Sequence, residues 1–358
     1  MASSAYASAL GRLKPEFTAF LGRETYAQLV GARDVGELAK VLEATPYGAD
    51  VQQARAAFQG IALIEIATNR TFVRRNRHAF EATPFAGRAV VGAYLTRYDR
   101  QNIELILSAK AQGRPISETE EHLISSRDIP AGLYAGVLTL DDYRSLLAQP
   151  SLEATVAQLV KFGYGGTLLP LLEQFERSHD IFPVLLALDR EYYAQVRETA
   201  KFFQGDEWVV RQLLASEIDV RNALLLLKGK AVDLPLEEVL ARWIEGGTIA
   251  ATQAPDLYGA RGVPELAERL ADHFPTIGEG NDLFREDASL TGFEVAATRD
   301  RAVAELKRLK TYPLSLSVIF TFLLLAELER ADLRRIAFGK MYAVPNERLE
   351  PMLVAPRL

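Results

Sequence analysis

The chain has 358 residues, no cysteine and four scattered histidines, which excludes a disulfide framework, a cysteine nucleophile and a thiolate metal site and argues against a zinc enzyme. Apolar residues make up 49% and charged residues 25%, values typical of globular proteins, and the length predicts two or three domains or one repeat array. The net charge of −6 provides no basic field for nucleic acid.

The start of the chain lacks the basic stretch and the apolar run of a secretory peptide, so we expect a soluble, cytoplasmic protein.

The N-terminal region carries the first half of an internal repeat. Further on, one pattern of tyrosine, leucine and glycine occurs twice without a gap. Its members are Tyr26, Leu29, Leu42, Tyr47 and Gly48, matched by Tyr143, Leu146, Leu159, Tyr164 and Gly165.

Residues 69–78 form the most basic segment of the chain. It contains Arg70, Arg74, Arg75 and Arg77. The pattern is typical of a solvated helix face. The alternative interpretation is a contact with acidic loops of a partner, because charge guides and orients association.

The strongest signal is an element that occurs three times. Each copy has an acid, a short polar side chain three residues later, a lysine at +11 and a proline at +16. The copies are Asp99, Asn102, Lys110 and Pro115; Asp219, Asn222, Lys230 and Pro235; and Glu329, Asp332, Lys340 and Pro345. Asp219 and Asn222 share a helix face beside an apolar stretch, so we expect them to be buried and to hydrogen-bond backbone or a cation.

The remaining predicted elements are helices. Residues 236–244 carry one apolar stripe, opened by Pro235 and closed by Gly246-Gly247. A second helix begins at Val263, with Leu266, Leu270 and Phe274 on one face. Residues 313–326 are the most apolar segment, but they are too few for the ~20 residues that cross a bilayer as a helix. We therefore expect a buried helix there and no direct membrane span.

These patterns predict an all-α fold made of three similar helical domains, at residues 1–128, 129–235 and 236–358. The third copy lacks the matching tyrosines in its first half. The sequence pattern leaves open whether the three units stack linearly or close around an axis.

Several motifs also resemble those of a known family. Asp99-x-x-Asn102 with Pro115, the element at Asp219, Thr45-Pro-Tyr47-Gly48 and the ending at Lys340 and Pro345 are similar to signatures of the C subunit of the V/A-type rotary ATPases. The eukaryotic relative is the d subunit of the vacuolar ATPase. The resemblance covers nearly the whole chain, although Glu329 and Asp332 depart from the Asp and Asn of the other copies.

The resemblance implies a non-catalytic adaptor without cofactors, shaped as a pseudo-threefold funnel. Such an adaptor joins the membrane proteolipid ring to the central-stalk subunits and passes torque between them, for ATP-driven ion transport or ATP synthesis. It would be cytoplasmic and peripheral to the membrane. The coupling ion, hydrogen or sodium, is not determined by this chain.

Two other classes remain open from the sequence. One is an unrelated α-helical repeat scaffold that binds protein partners through a concave surface. The other is an all-α enzyme with a pocket between domains. No catalytic, cofactor-binding or metal-ligating residue is assigned, because the glycine-rich Phe162–Thr167 segment lacks the lysine and the preceding strand of a phosphate loop.

Overall fold

The computed structural model describes residues 2–115, 123, 138–203 and 205–355. Every regular element within these ranges is helical, which confirms the predicted all-α class. The helices are α1 (Ala2–Thr18), α2 (Arg23–Gly31), α3 (Val35–Glu43), α4 (Gly48–Arg55), α5 (Gly60–Ala82), α6 (Arg88–Leu95), α7 (Arg97–Ala111), α8 (Leu140–Leu147), α9 (Leu152–Leu159), α10 (Gly165–Ser178), α11 (Phe182–Lys201), α12 (Glu207–Ala231), α13 (Leu236–Ala241), α14 (Ala254–Tyr258), α15 (Val263–Arg269), α16 (Gly280–Asp287), α17 (Thr291–Thr311), α18 (Ser317–Met341) and α19 (Asn346–Leu349).

The chain divides into two compact units, and the first is discontinuous in sequence. One unit combines Met1–Thr68 with Trp208–Leu358, and the other is Asn69–Glu207. The three domains expected from the repeats stay a prediction. The first of their boundaries, at residues 128 and 129, lies outside the described residues.

Each copy of the repeated element lies on a long helix that carries a cluster of short helices. We call α7, α12 and α18 the trunk helices. Head 1 is α2–α4, head 2 is α8–α10, and head 3 is residues 236–279. In the unit of residues 69–207, head 2 packs on α7, and in the other unit head 3 packs on α12 and head 1 packs on α18.

The packing follows from the apolar spacing of the trunk helices. Ile106, Leu226 and Ile336 stand seven residues after the acid in each copy, and each is fully buried in the core of one head–trunk pair. Residues one turn earlier, Ile103 and Leu333, lie in the same cores. The repeat therefore marks the three surfaces on which heads are docked.

Short polar residues begin the head helices. Asp34 accepts from the Glu37 amide at 2.8 Å and caps α3. Thr139 and Asp142 form a reciprocal capping box at α8, and Ser151 caps α9. Each cap satisfies amide groups that would otherwise lack a partner at a helix start.

Two predicted helices have different ends in the structure. The stripe at 236–244 is helical only through Ala241, because the backbone N–H and C=O of Ile244 bond the side chain of Asn222 instead of continuing the helix. The helix from Val263 ends at Arg269, although Leu270 and Phe274 beyond it remain buried in the core of head 3.

The apolar segment 313–326 enters α18, which begins at Ser317. The stretch from Ser317 to Leu324 is buried throughout, so the prediction of a buried helix is confirmed for these residues. In the described parts of the chain, no helix combines the length and the apolar character needed to cross a membrane.

Candidate functional site

The three head–trunk junctions contain the residues that the repeat singled out. The acid that opens each copy is buried: Asp99, Asp219 and Glu329 are 0%, 5% and 1% exposed. A buried carboxylate is costly unless donors surround it, so the donors at each junction decide its stability.

At the junction of head 1, Glu329 joins two distant segments. One carboxylate oxygen accepts from the hydroxyl of Tyr47 at 2.7 Å, and the other accepts from the amide of Leu21 at 2.6 Å. Tyr47 belongs to the tyrosine pattern of the repeat. The acid of the third copy therefore fastens the tyrosine of the first head.

At the junction of head 2, Asp99 uses the other tyrosine of the pattern. Its Oδ1 accepts from the hydroxyl of Tyr143, while Oδ2 is buried and has no hydrogen-bond partner among the described residues. Burial raises the pKa of Asp99 to about 7, and the tyrosine bond opposes this only in part. The pKa of Tyr143 is raised as well, by burial and by the neighbouring carboxylate.

Head 3, which lacks these tyrosines, donates a backbone amide and a threonine hydroxyl to the acid of its trunk helix. Asp219 Oδ1 accepts from the amide of Ile249 at 2.9 Å, and Oδ2 accepts from the hydroxyl of Thr248. A Cβ atom at Gly247 would lie 2.2 Å from Asp219 Oδ1, so only glycine allows this close approach. The loss of tyrosine in the third head is therefore matched by a different donor set.

The second repeat position also bonds across the junction. Asn222 donates to the carbonyl of Ile244 at 2.8 Å and accepts from its amide at 3.1 Å. Asn102 lies within hydrogen-bonding reach of the Tyr143 hydroxyl.

In the third copy an aspartate replaces the asparagine. Asp332 accepts from the amides of Val354 and Ala355, at 3.0 and 2.7 Å, and pairs with Arg335 at 3.0 Å. Burial raises the pKa of Asp332 although these donors oppose the shift. A carboxylate fits here because the facing segment presents two donors, whereas Ile244 presents a donor and an acceptor to Asn222.

The repeated lysines reach the carbonyl ends of head segments. Lys110 donates to the carbonyls of Leu147 and Gln149, and Lys340 donates to the carbonyl of Val30 and to the side chain of Asn346. Val30 and Leu147 lie at matching positions in α2 and α8. Partial burial lowers the pKa of both lysines.

Lys230 makes a different contact. Its Nζ lies 4.1 Å from the ring centroid of Tyr258, whose hydroxyl donates to the carbonyl of Leu234 at 2.6 Å. A cation over an aromatic ring is stabilised by the ring's electron density. All three lysines therefore hold a trunk helix end, two of them through carbonyl groups.

The prolines at +16 follow a repeated helix end. Gly113, Asp233 and Ala343 have φ angles of 64°, 51° and 52°, the left-handed conformation that ends a helix. The next amide then bonds five residues back in every copy, at 2.8 to 2.9 Å. Pro115, Pro235 and Pro345 come directly after this turn. Only the first copy carries glycine, so residue type did not mark the turn at Asp233 and Ala343.

The basic segment lies on α5, where its arginines occupy different environments. Arg75 is 3% exposed and Arg70 is half-buried, whereas Arg74 and Arg77 are exposed. Arg77 pairs with Glu81 at 2.8 Å on the helix surface. Of the four arginines, Arg74 and Arg77 are the most exposed, whereas Arg75 is too buried to serve as the predicted partner contact.

Comparison with known proteins shows which family model and which relatives the chain matches. A family model described as ATP synthase (C/AC39) subunit matches residues 10–352. The C subunit of the A-type ATP synthase of Thermoplasma acidophilum is 34% identical over 351 residues, covering 98% of both chains. The proteins of the same name from Thermoplasma volcanium and Haloferax volcanii are 32% and 28% identical; the alignments cover 98% of both chains and 96% of both chains, respectively.

Proposed function

This chain belongs to the ATP synthase (C/AC39) subunit family, and on that premise we propose that it is a non-catalytic adaptor of a rotary ATPase. In this role it couples the membrane proteolipid ring to the central-stalk subunits. It passes torque between them for ATP synthesis or for ATP-driven transport of hydrogen or sodium ions. It is cytoplasmic and peripheral to the membrane.

The observation that carries the proposal is the use made of the repeated polar residues. The polar atoms of Asp219, Asn222 and Glu329 bond backbone groups and buried partners at the head–trunk junctions. Asp332 bonds the backbone amides of Val354 and Ala355, close to the end of the described chain. Groups engaged in this way fix packing rather than meet a substrate. A part that transmits torque needs such rigid junctions. The proposed arrangement is three domains, at residues 1–128, 129–235 and 236–358, in a pseudo-threefold funnel.

The proposal is tested by isolating the complex through an affinity tag on this chain. We expect rotary ATPase subunits of the stalk and of the proteolipid ring to co-purify in fixed stoichiometry. Isolation of a tagged chain that never carries either set of subunits, from membranes with an intact ATPase, would contradict the adaptor role.

Arg74 and Arg77 are the proposed partner contacts on α5. We expect Arg74→Glu combined with Arg77→Glu to weaken assembly with the complex, because charge reversal opposes an acidic partner surface. Arg177→Glu is the matched control. Arg177 is equally a helix arginine of the same unit, paired with Glu173 at 2.8 Å. If the double variant and the Arg177→Glu control assemble equally well across a range of salt concentrations, the proposed contact is wrong.

A further inference from the structure

The three head–trunk junctions differ in how completely their acid is compensated. Glu329 accepts from one amide and one hydroxyl, and Asp219 does the same. Asp99 accepts from the hydroxyl of Tyr143 on Oδ1, and its Oδ2 is buried with no partner in the part of the chain that the structure describes. Asp99 is also fully buried. An ionised carboxylate is therefore less well supported in the junction of head 2 than its counterparts are in theirs.

The charged groups around Asp99 do not make up for the missing donor. Arg100, its neighbour on α7, is bound by Glu104 at 2.6 Å and by Asp189 of α11. Tyr164, at the start of α10, lies within electrostatic range of Asp99, Arg100 and Glu191 of α11. The nearby cation is thus matched by carboxylates.

The polar side chains next to Asp99 do not balance the charge of an ionised Asp99 either. Among the described residues, Tyr143 of α8 donates to Asp99, and Asn102 of α7 interacts with the Tyr143 hydroxyl. Both are uncharged near neutral pH. The field at Asp99 therefore favours its protonated form.

We propose that the junction between α7 and head 2 is a pH-dependent latch, closed when Asp99 is protonated and loosened when Asp99 ionises. With a proton, Oδ2 no longer buries a charge, and the bond to Tyr143 persists. Without the proton, the junction holds an under-compensated charge that head 2 relieves by opening toward water. The inference concerns this chain alone and does not depend on the adaptor role.

The direction of the pH dependence follows from the two protonation states. Asp99 has a pKa of about 7 in the closed junction, above the 3.8 of an exposed aspartate. A raised pKa contributes stability that is complete below the exposed value and is lost as pH rises through the closed value. We expect the opening equilibrium of head 2 to increase roughly fiftyfold between pH 5 and pH 7, and to level off above about pH 8.

Hydrogen exchange of the full-length chain, followed by mass spectrometry between pH 5 and pH 8, tests the latch. After correction for the intrinsic exchange rate, peptides from residues 140–178 should lose protection as pH rises. Asp99→Asn, a neutral side chain of the same shape, should keep these peptides protected at every pH. Wild-type protection that does not change with pH, or a change that persists in Asp99→Asn, would overturn the proposal.

A second variant keeps the test decisive if Asp99→Asn does not fold. The bond from Tyr143 lowers the pKa of Asp99, so Tyr143→Phe should move the midpoint of the protection loss to higher pH. A midpoint that stays in place would show that Asp99 does not control the opening. Peptides of head 3, whose acid has a backbone donor, serve as an internal reference in each sample.

Discussion

Substitution of Asn222 offers a sharp test of the head–trunk junctions. Asn222 is 1% exposed and bonds both backbone groups of Ile244, as donor at 2.8 Å and as acceptor at 3.1 Å. Asn222→Ala leaves a buried N–H and a buried C=O without partners, each costing about 1–3 kcal/mol. We therefore expect a loss of about 2–5 kcal/mol in the free energy of unfolding.

Asn222→Asp separates the hydrogen-bond argument from simple loss of volume. The aspartate keeps an acceptor for the Ile244 amide but turns an oxygen toward the Ile244 carbonyl, where the asparagine donates. At pH 7 this variant should be at least as unstable as Asn222→Ala. When protonated, the same oxygen can donate, so the folded pKa should exceed the ordinary value of about 3.9.

The sign of the pH effect follows for this variant. A raised folded pKa means that stability is greatest at low pH and falls as pH rises through the folded value. Urea unfolding followed by far-ultraviolet circular dichroism at pH 5 and pH 7 measures it, with each variant compared with the wild type at the same pH. Asn222→Asp should approach the wild type at pH 5.

Lys228→Ala is the control for these measurements. Lys228 is exposed on the same helix, and its removal should change the free energy of unfolding by less than about 0.5 kcal/mol. Two results would refute the reasoning: Asn222→Ala and Asn222→Asp within that range of the wild type at pH 7, or an Asn222→Asp deficit that is the same at both pH values.

Four further substitutions test other contacts, each by the same urea measurement at pH 7. Gly48→Ala should destabilise by about 1–3 kcal/mol, because its Cβ would lie 2.4 Å from the Glu43 carbonyl oxygen. Gly11→Ala on α1, where no described atom lies within 4 Å of the added Cβ, should stabilise by up to about 1 kcal/mol. Equal effects of the two substitutions would contradict the packing argument. Lys340→Met should cost about 1–3 kcal/mol through the lost bond to the Val30 carbonyl, and an unchanged midpoint would show that this bond does not hold head 1. Asp332→Asn should cost about 1.5–3 kcal/mol, since its amide would face two backbone donors, and wild-type stability would count against that geometry.

The sequence predicted the helical class and the positions of the junction residues, because both depend on local spacing. An acid and a polar residue three apart on a helix share a face, and Ile106, Leu226 and Ile336 recur in phase with them. The burial of these apolar residues follows from that register. Sequence repetition was sufficient to mark the surface on which each head docks.

The partners of these residues were not predictable from spacing. Glu329 meets Tyr47 across 282 residues of sequence, and no local pattern states which head docks on which trunk helix. Heads 1 and 2, which carry the tyrosine pattern, each donate a tyrosine hydroxyl to the acid of their trunk helix, whereas head 3 donates the hydroxyl of Thr248. One of the two donors to Asp219 is the backbone amide of Ile249, which almost any residue at that position would supply.

The docking of head 1 on α18 has a consequence for synthesis of the protein. Glu329 accepts a hydrogen bond from the amide of Leu21, 308 residues away in sequence. Lys340 donates to the carbonyl of Val30, 310 residues away. Heads 2 and 3 come after their trunk helices in the sequence, so each can pack as soon as it leaves the ribosome. Head 1 leaves the ribosome before the other heads, yet the helix that covers its apolar face is made after all three heads. The apolar face of head 1 therefore stays uncovered until α18 has been synthesised. A nascent chain truncated before α18 keeps this apolar surface exposed to chaperones and proteases.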